Sequence, residues 1–128
     1  MKKIILYIGA VFFGISITLI SCYKDVIKPD AAFDPDGPPQ AVSFSKDIAP
    51  LVESKCALSG CHVSGGHAPN MTLGNSYQTI VNGGFVNTLL PKQSIIYIMI
   101  NGDMQQYIPS AADRQKIYDW IRNGVPNN

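Results

Sequence analysis

The distribution of apolar residues divides the chain into three parts. An almost uninterrupted apolar run covers residues 4–20 and follows two lysines. Residues 23–42 show no hydrophobic period and interleave four prolines with four aspartates. Apolar residues recur with helical spacing only beyond that stretch, which predicts one folded domain over residues 43–128.

The first predicted helix of this domain leads into a cysteine. One face of that helix is apolar, at positions i, i+4, i+7 and i+8: Phe44, Ile48, Leu51 and Val52. Pro50 interrupts the pattern, so either Ser45 caps a first turn that kinks at Pro50, or the regular helix begins at Pro50. In both cases the helix runs into Cys56.

Three further helices are predicted along the domain. A short one covers residues 76–81 and ends at an Asn-Gly-Gly sequence. The next, over residues 94–100, is apolar all round, which indicates burial on every side. The last begins at a capping box, Ser110 to Asp113, and ends at Asn123-Gly124. Its inner stripe is Ile117, Trp120 and Ile121. No segment alternates between apolar and polar residues, so the domain is predicted to be all-α.

The charge of the chain excludes one class of partner. Residues 22–128 carry eight Lys and Arg, two fewer than the whole chain, against nine Asp and Glu, which gives a net charge of −1. No basic run is long enough to indicate nucleic-acid binding. The chain also lacks a carboxylate pair, a nucleophile with an adjacent base and a phosphate-binding loop, so its sequence does not predict an enzyme.

The N-terminal segment resembles the signal peptide of a bacterial lipoprotein. The apolar run ends in Leu19-Ile20-Ser21-Cys22, which is similar to a lipobox. This implies that residues 1–21 are removed and that Cys22 carries lipid, with residues 22–42 as a flexible tether too polar to fold. The alternative is a transmembrane anchor, although the apolar run is slightly shorter than the ~18 residues such a helix needs. Either reading places the domain outside the cytoplasm, on the periplasmic side of a membrane or at the cell surface.

Cys56, Cys61 and His62 carry the candidate chemistry of the domain. Each thiol can add to a vinyl group of haem, and a histidine directly after the second cysteine is then held against the iron as its proximal ligand. The usual spacing places two residues between the cysteines, whereas this chain has four. Two haem-free alternatives remain: a disulfide that staples a small extracytoplasmic interaction module, and a zinc site that lacks a fourth ligand. Neither requires a histidine directly after Cys61.

The whole domain resembles the class I cytochrome c domain, and more narrowly the planctomycete-type short cytochrome c lipoproteins. The resemblance lies in Phe-Ser-Lys-Asp-Ile-Ala-Pro-Leu at residues 44–51 and in Ile-Tyr-Asp-Trp-Ile-Arg-Asn-Gly at residues 117–124. It implies that the N- and C-terminal helices pack across each other around one covalent haem c. It also implies an electron carrier that exchanges single electrons with redox partner proteins.

The same resemblance implies a methionine as the sixth iron ligand, in the loop before the last helix. Met104 lies in that loop. Met71 and His67 are rival ligands, while Met99 lies in the apolar helix and is expected to pack in the core. If the sixth position were open, the domain would instead be a haem enzyme or a gas sensor, with His67 and Gln105 as its polar groups.

Overall fold

The computed structural model describes residues 35–128, so the predicted signal peptide, Cys22 and most of the predicted tether lie outside the described residues. The described residues form helices and no strand, which confirms an all-α domain for this part of the chain. None of the helices over residues 35–128 could cross a membrane. The finer expectation of a class I cytochrome fold stays a prediction.

Four α-helices follow one another along the described chain. A π-helical turn, Phe44–Ile48, leads directly into the first of them, and a 3-10 turn, Pro91–Gln93, precedes the third. The α-helices are α1 (Ala49–Cys56), α2 (Ser76–Asn82), α3 (Ile95–Ile100) and α4 (Ala111–Arg122). Each lies close to its predicted position, with boundaries shifted by one or two residues.

Of the two predicted starts of the first helix, a cap at Ser45 is wrong, whereas a regular helix that begins at Pro50 lies within one residue of the observed start. The hydroxyl of Ser43 caps the π-helical turn instead and accepts the Lys46 N–H at 3.3 Å. Helix α1 then begins at Ala49, so Pro50 lies in the first turn, where its missing N–H costs no hydrogen bond. Ser43 provides the cap because its backbone is extended, as a capping residue requires.

The π-helical turn packs against α4, α1 packs against α2, and α3 packs against α4. The side chains that these contacts bury completely are Ile48, Val52, Ile80, Ile117, Trp120 and Ile121. The predicted inner stripe of the last helix is therefore confirmed. The centroid of the Phe44 ring lies 5.2 Å from that of the Trp120 ring and 5.0 Å from that of the Tyr77 ring. This aromatic cluster joins the start of the domain to its last helix.

The prediction that the third helix is buried on every side is wrong. Ile96 and Ile100 are buried, whereas Ile95 and Ile98 are 48% and 55% exposed. Helix α3 packs on the protein along one face only, and the face that carries Ile95 borders a cavity. An apolar composition all round therefore does not produce burial all round in this helix.

The compact unit begins at Pro35, earlier than the boundary at residue 43 suggested by composition. The Gln40 N–H donates to the buried Asp119 carboxylate at 3.2 Å, and the Asn123 amide donates to the Gln40 carbonyl at 2.7 Å. Arg122 donates to carbonyl oxygens of residues 35–37. These contacts involve backbone groups of residues 35–40, which a search for apolar periodicity cannot detect.

Candidate cofactor site

A cavity of about 480 Å³ lies between the end of α1, the loop that follows it, and α3 with the turn after it. Its size is within the range of about 300–1,000 Å³ that is typical of cofactor and small-ligand sites. The structure places every predicted cofactor-binding residue of the domain in its wall: Cys56, Cys61, His62 and Met104. These residues come from segments almost fifty positions apart in the chain.

The four-residue spacer between the cysteines forms a closed turn. Cys56 is the last residue of α1, and the Cys61 N–H donates to the Leu58 carbonyl at 2.8 Å. Gly60 completes the turn with φ +78°, a conformation that favours glycine. The His62 N–H then donates to the Cys56 carbonyl at 3.2 Å. The spacer therefore brings the chain back beside Cys56 instead of separating the two cysteines.

The imidazole of His62 is oriented by two backbone carbonyls. Its Nδ1 lies 3.2 Å from the carbonyl oxygen of His67 and 3.2 Å from that of Pro69. A carbonyl oxygen can only accept a hydrogen bond, so Nδ1 is the donor in both contacts, which leaves Nε2 as the nitrogen that can bind a metal in the neutral ring. A metal-ligating histidine is commonly fixed in this way by a hydrogen bond from its other nitrogen.

The loop that supplies these carbonyls packs tightly on the cysteine–histidine motif. The His67 N–H donates to the Cys61 carbonyl, and the Met71 N–H donates to the His62 carbonyl, both at 2.8 Å. A Cβ atom on Gly66 would lie only 2.2 Å from the Cys61 carbonyl oxygen, so any other residue there must displace backbone. The loop is thus held at both ends of the motif, and the His62 ring with it.

Both thiols of the motif are free and half-buried. Burial, and secondarily the neighbouring Cys61, raises the pKa of Cys56 to about 11, so this group is a neutral thiol at pH 7. Within residues 35–128, no three His, Cys, Asp or Glu side chains converge to hold a metal ion. The zinc alternative requires such convergence. Covalent attachment to a porphyrin does not, because the two thiols would then bond to the organic ring and not to the metal.

Three candidates for the second iron ligand line the cavity: His67, Met71 and Met104. His67 and Met71 belong to the loop that is hydrogen-bonded to Cys61 and His62. Met71 is also buried in the hydrophobic core. Met104 belongs to the turn after α3, where its N–H donates to the Met99 carbonyl at 2.8 Å. Of the three, only Met104 comes from a segment other than the one that carries His62.

Met99 is only partly buried and lines the cavity, although the sequence indicated core packing. Gln105 is exposed and lies outside the cavity wall. Of the two polar groups that an open iron site would use, only His67 therefore borders the cavity.

The large apolar side chains that line the cavity were not predicted from the sequence. Leu58, Ile95 and Tyr107 are 44%, 48% and 41% exposed, and all three line the cavity. Exposed apolar groups gathered around one concave surface indicate a ligand that covers them. The apolar composition of residues 94–100 could have indicated these residues. A helix that is apolar all round but packs on the protein along one face has a second apolar face, which can line a cavity.

No protein-family model, curated protein or solved structure matches this chain. The case for its function therefore rests on the residues and their geometry.

Proposed function

We propose that this protein is a monohaem c-type cytochrome that carries single electrons between extracytoplasmic redox partners. The observation that carries the proposal is the shared cavity wall, which joins two free thiols, an oriented imidazole and a methionine. Each of these groups has a distinct role in holding haem c, and the apolar remainder of the wall suits a porphyrin.

The fit to haem c follows from the chemistry of each group. Cys56 and Cys61 would form the two thioether bonds, which require free thiols. His62 would provide the fifth iron ligand through Nε2, since its Nδ1 is already hydrogen-bonded. Met104 would provide the sixth. Covering Leu58, Ile95 and Tyr107 would remove exposed apolar surface from water, which favours binding.

Electron transfer requires ligands that keep their positions in both oxidation states. Iron in haem c supplies the chemistry, since it can hold or release one electron. The His62 ring is fixed by two carbonyls, and the loop carrying them is hydrogen-bonded back to the motif, so the imidazole does not have to move. A thioether ligand at Met104 favours the reduced iron and raises the potential above that of a bis-histidine haem.

An electron carrier is favoured over the two alternative functions by the composition of the cavity. A haem enzyme or gas sensor needs polar groups beside an open iron position; His67 borders the cavity, but Gln105 lies outside its wall, so only one of the two candidate polar groups is present. A disulfide-stapled interaction module would use the two thiols but would leave the fixed imidazole and the apolar cavity without a role.

The proposed location depends on residues 1–22, outside the described part of the chain. We propose that the signal peptide is removed and that Cys22 bears the lipid, so that the domain stays at a bacterial membrane, on its periplasmic side or at the cell surface. Its partners would then be redox proteins near that membrane, and the net charge of −1 for residues 22–128 gives no basis for nucleic-acid binding.

The proposal is tested by producing the full chain in a host that can mature c-type cytochromes. We expect the purified protein to retain haem under denaturing conditions, with an intact mass that includes one haem and a reduced pyridine spectrum of a two-thioether haem. Cys56→Ala and Cys61→Ala should each leave at most one thioether bond, and the double variant should contain no covalent haem.

Cys22→Ser is the matched control, because it replaces the chain's third cysteine outside the described domain and should keep full haem content. Wild-type protein recovered without covalent haem, with Cys56 and Cys61 joined in a disulfide, would contradict the proposal. If haem is bound but Met104→Ala leaves the spectrum unchanged, the cytochrome assignment stands and Met104 is not the ligand.

A further inference from the structure

The guanidinium of Arg114 joins the two ends of the turn that carries Met104. Its Nε donates to the side-chain oxygen of Asn101, the residue that follows α3, at 3.2 Å. One terminal nitrogen donates to the carbonyls of Ile108 and Pro109 at 2.6 and 2.7 Å. Residues 102–107 thus form a loop whose entry and exit are bonded to a single side chain.

These contacts are not needed to start helix α4. Ser110 already caps it, with its hydroxyl accepting the Asp113 N–H at 3.2 Å. A positive charge in the first turn also opposes the helix dipole, which favours acidic residues at that end. The three oxygens that Arg114 binds are all neutral, so it is not placed there to neutralise a carboxylate. The role that remains for Arg114 is to hold the loop.

The loop also has short-range hydrogen bonds of its own, which form its turns. The Met104 N–H donates to the Met99 carbonyl at 2.8 Å, and the Tyr107 N–H donates to the Met104 carbonyl at 3.1 Å. The side chains of both Met104 and Tyr107 line the cavity. Arg114 adds the contacts that join the entry of the loop to its exit, and so limits where these turns, and Met104 with them, lie relative to α3 and α4.

We infer that Arg114 is a positioning residue that holds Met104 in place as the sixth iron ligand. This inference rests on the proposed function. It adds that the strength of sulfur ligation, and with it the potential and the resistance of the iron to foreign ligands, depends on a side chain that does not touch the haem ligands themselves. Short exposed loops are otherwise among the first parts of a protein to open.

The test compares Arg114→Gln and Arg114→Lys with Arg122→Gln in the haem-loaded full chain. Arg122 is the control for overall stability, because it lies on the same helix but pairs with the buried Asp119 at 3.2 Å and with carbonyls of residues 35–37, away from the Met104 loop. Both Arg114 variants lose the planar guanidinium that donates to Asn101 and Ile108 at the same time. The lysine variant keeps the positive charge, so it can still be measured if the glutamine variant does not fold.

Three readouts separate positioning from general stability. In the Arg114 variants we expect cyanide to bind the ferric protein about tenfold more tightly. That factor corresponds to the stabilisation of the loop that is lost with one hydrogen bond from a charged group. The weak near-infrared band of sulfur-ligated haem should fade, and the potential should drop. Amide exchange at Met104 and Tyr107 should accelerate by about the same factor, because the turn that contains these hydrogen bonds is no longer held at both ends. Arg122→Gln should lower overall stability through loss of its ion pair with Asp119, but should leave cyanide binding, the near-infrared band and the potential unchanged.

Unchanged cyanide binding and unchanged exchange at Met104 in both Arg114 variants would overturn the inference. If these variants and Arg122→Gln respond alike, Arg114 acts only through overall stability and the inference is equally overturned. Neither result affects the proposed function, which is tested separately by covalent haem. A protein that contains no haem would refute the proposed function and the ligation role of Arg114 together, and loop exchange would then report only on ordering of the loop.

Discussion

Asp119 should be the most important polar side chain for the stability of the described domain. Its carboxylate is buried, with 2% of the residue exposed. One oxygen accepts hydrogen bonds from the Gln115 amide at 2.9 Å and from Arg122 at 3.2 Å, and the other accepts the Gln40 N–H at 3.2 Å. Replacing Asp119 with alanine would therefore remove the acceptor of three hydrogen bonds, each of them partly buried.

The size of the loss can be bounded from these contacts. Breaking a buried ion pair by removing one partner costs about 3–5 kcal/mol. The Arg122 side chain is 16% exposed and keeps its carbonyl partners in residues 35–37, which places the cost near the lower bound. We expect Asp119→Ala to lower the unfolding free energy by about 3 kcal/mol. For a domain of this size that lowers the melting temperature by roughly 12–24 °C.

The assay is thermal and urea unfolding of wild-type and variant protein with equal haem content. Asp113→Ala is the matched control, because it removes a carboxylate from the same helix that is paired only with Lys116, at 3.7 Å, in an exposed setting. Exposed pairs contribute about 0–1 kcal/mol, so this variant should unfold close to the wild type. Equal losses for Asp119→Ala and Asp113→Ala would refute the reasoning, since burial and hydrogen bonding of Asp119 would then have no energetic consequence.

Four further predictions follow from other contacts. Gly66→Ala should reduce the yield of covalent haem, measured by intact mass, because the added Cβ would meet the Cys61 carbonyl at 2.2 Å. Gly60→Ala is its control: the added Cβ would contact no atom, so the variant should cost only about 1–2 kcal/mol of backbone strain and still attach haem. Ser110→Ala should lower stability in urea by about 1 kcal/mol through loss of the cap, with no change in the haem spectrum. In the haem-free protein the folded pKa of Cys56 exceeds its ordinary value of 9.0, so unfolding free energy should fall as pH rises from 9 towards about 11, and Cys56→Ala should show a smaller fall. Cys22→Ser should release the protein from membranes or leave an uncleaved precursor, and a processed variant retained like the wild type would contradict the lipid anchor.

Local features of the described domain were largely predictable from the sequence. The inner stripe of α4 follows from helical periodicity, and its Ser110 cap from a known local motif. The sequence offered Ser45 as one possible cap of the first helical turn, but Ser43 provides it: two serines flank Phe44, and only the extended backbone of Ser43 distinguishes them. Such a choice depends on where the incoming chain arrives, which neighbouring residues do not specify.

Features that depend on distant contacts were not predictable in the same way. The attachment of residues 35–40 to α4 uses backbone carbonyls and N–H groups, which have the same chemistry in every residue. The role of Arg114 likewise depends on Asn101 and Ile108 being close together, although the three residues look unremarkable in sequence. The candidate ligands could be named from their residue types, but their convergence on one cavity required the fold.

The four-residue spacer shows how the structure changes the weight of a sequence feature. From the sequence alone, two extra residues between Cys56 and Cys61 are the main departure from the usual haem attachment motif. In the structure those residues form an exposed turn, and the His62 N–H bonds to the Cys56 carbonyl across it. The length of the spacer is therefore absorbed at the surface, while Leu58, within the same turn, adds to the cavity wall. The four-residue spacer therefore still places the backbone of His62 beside that of Cys56, and whether it accepts haem is decided by the covalent-haem experiment proposed above.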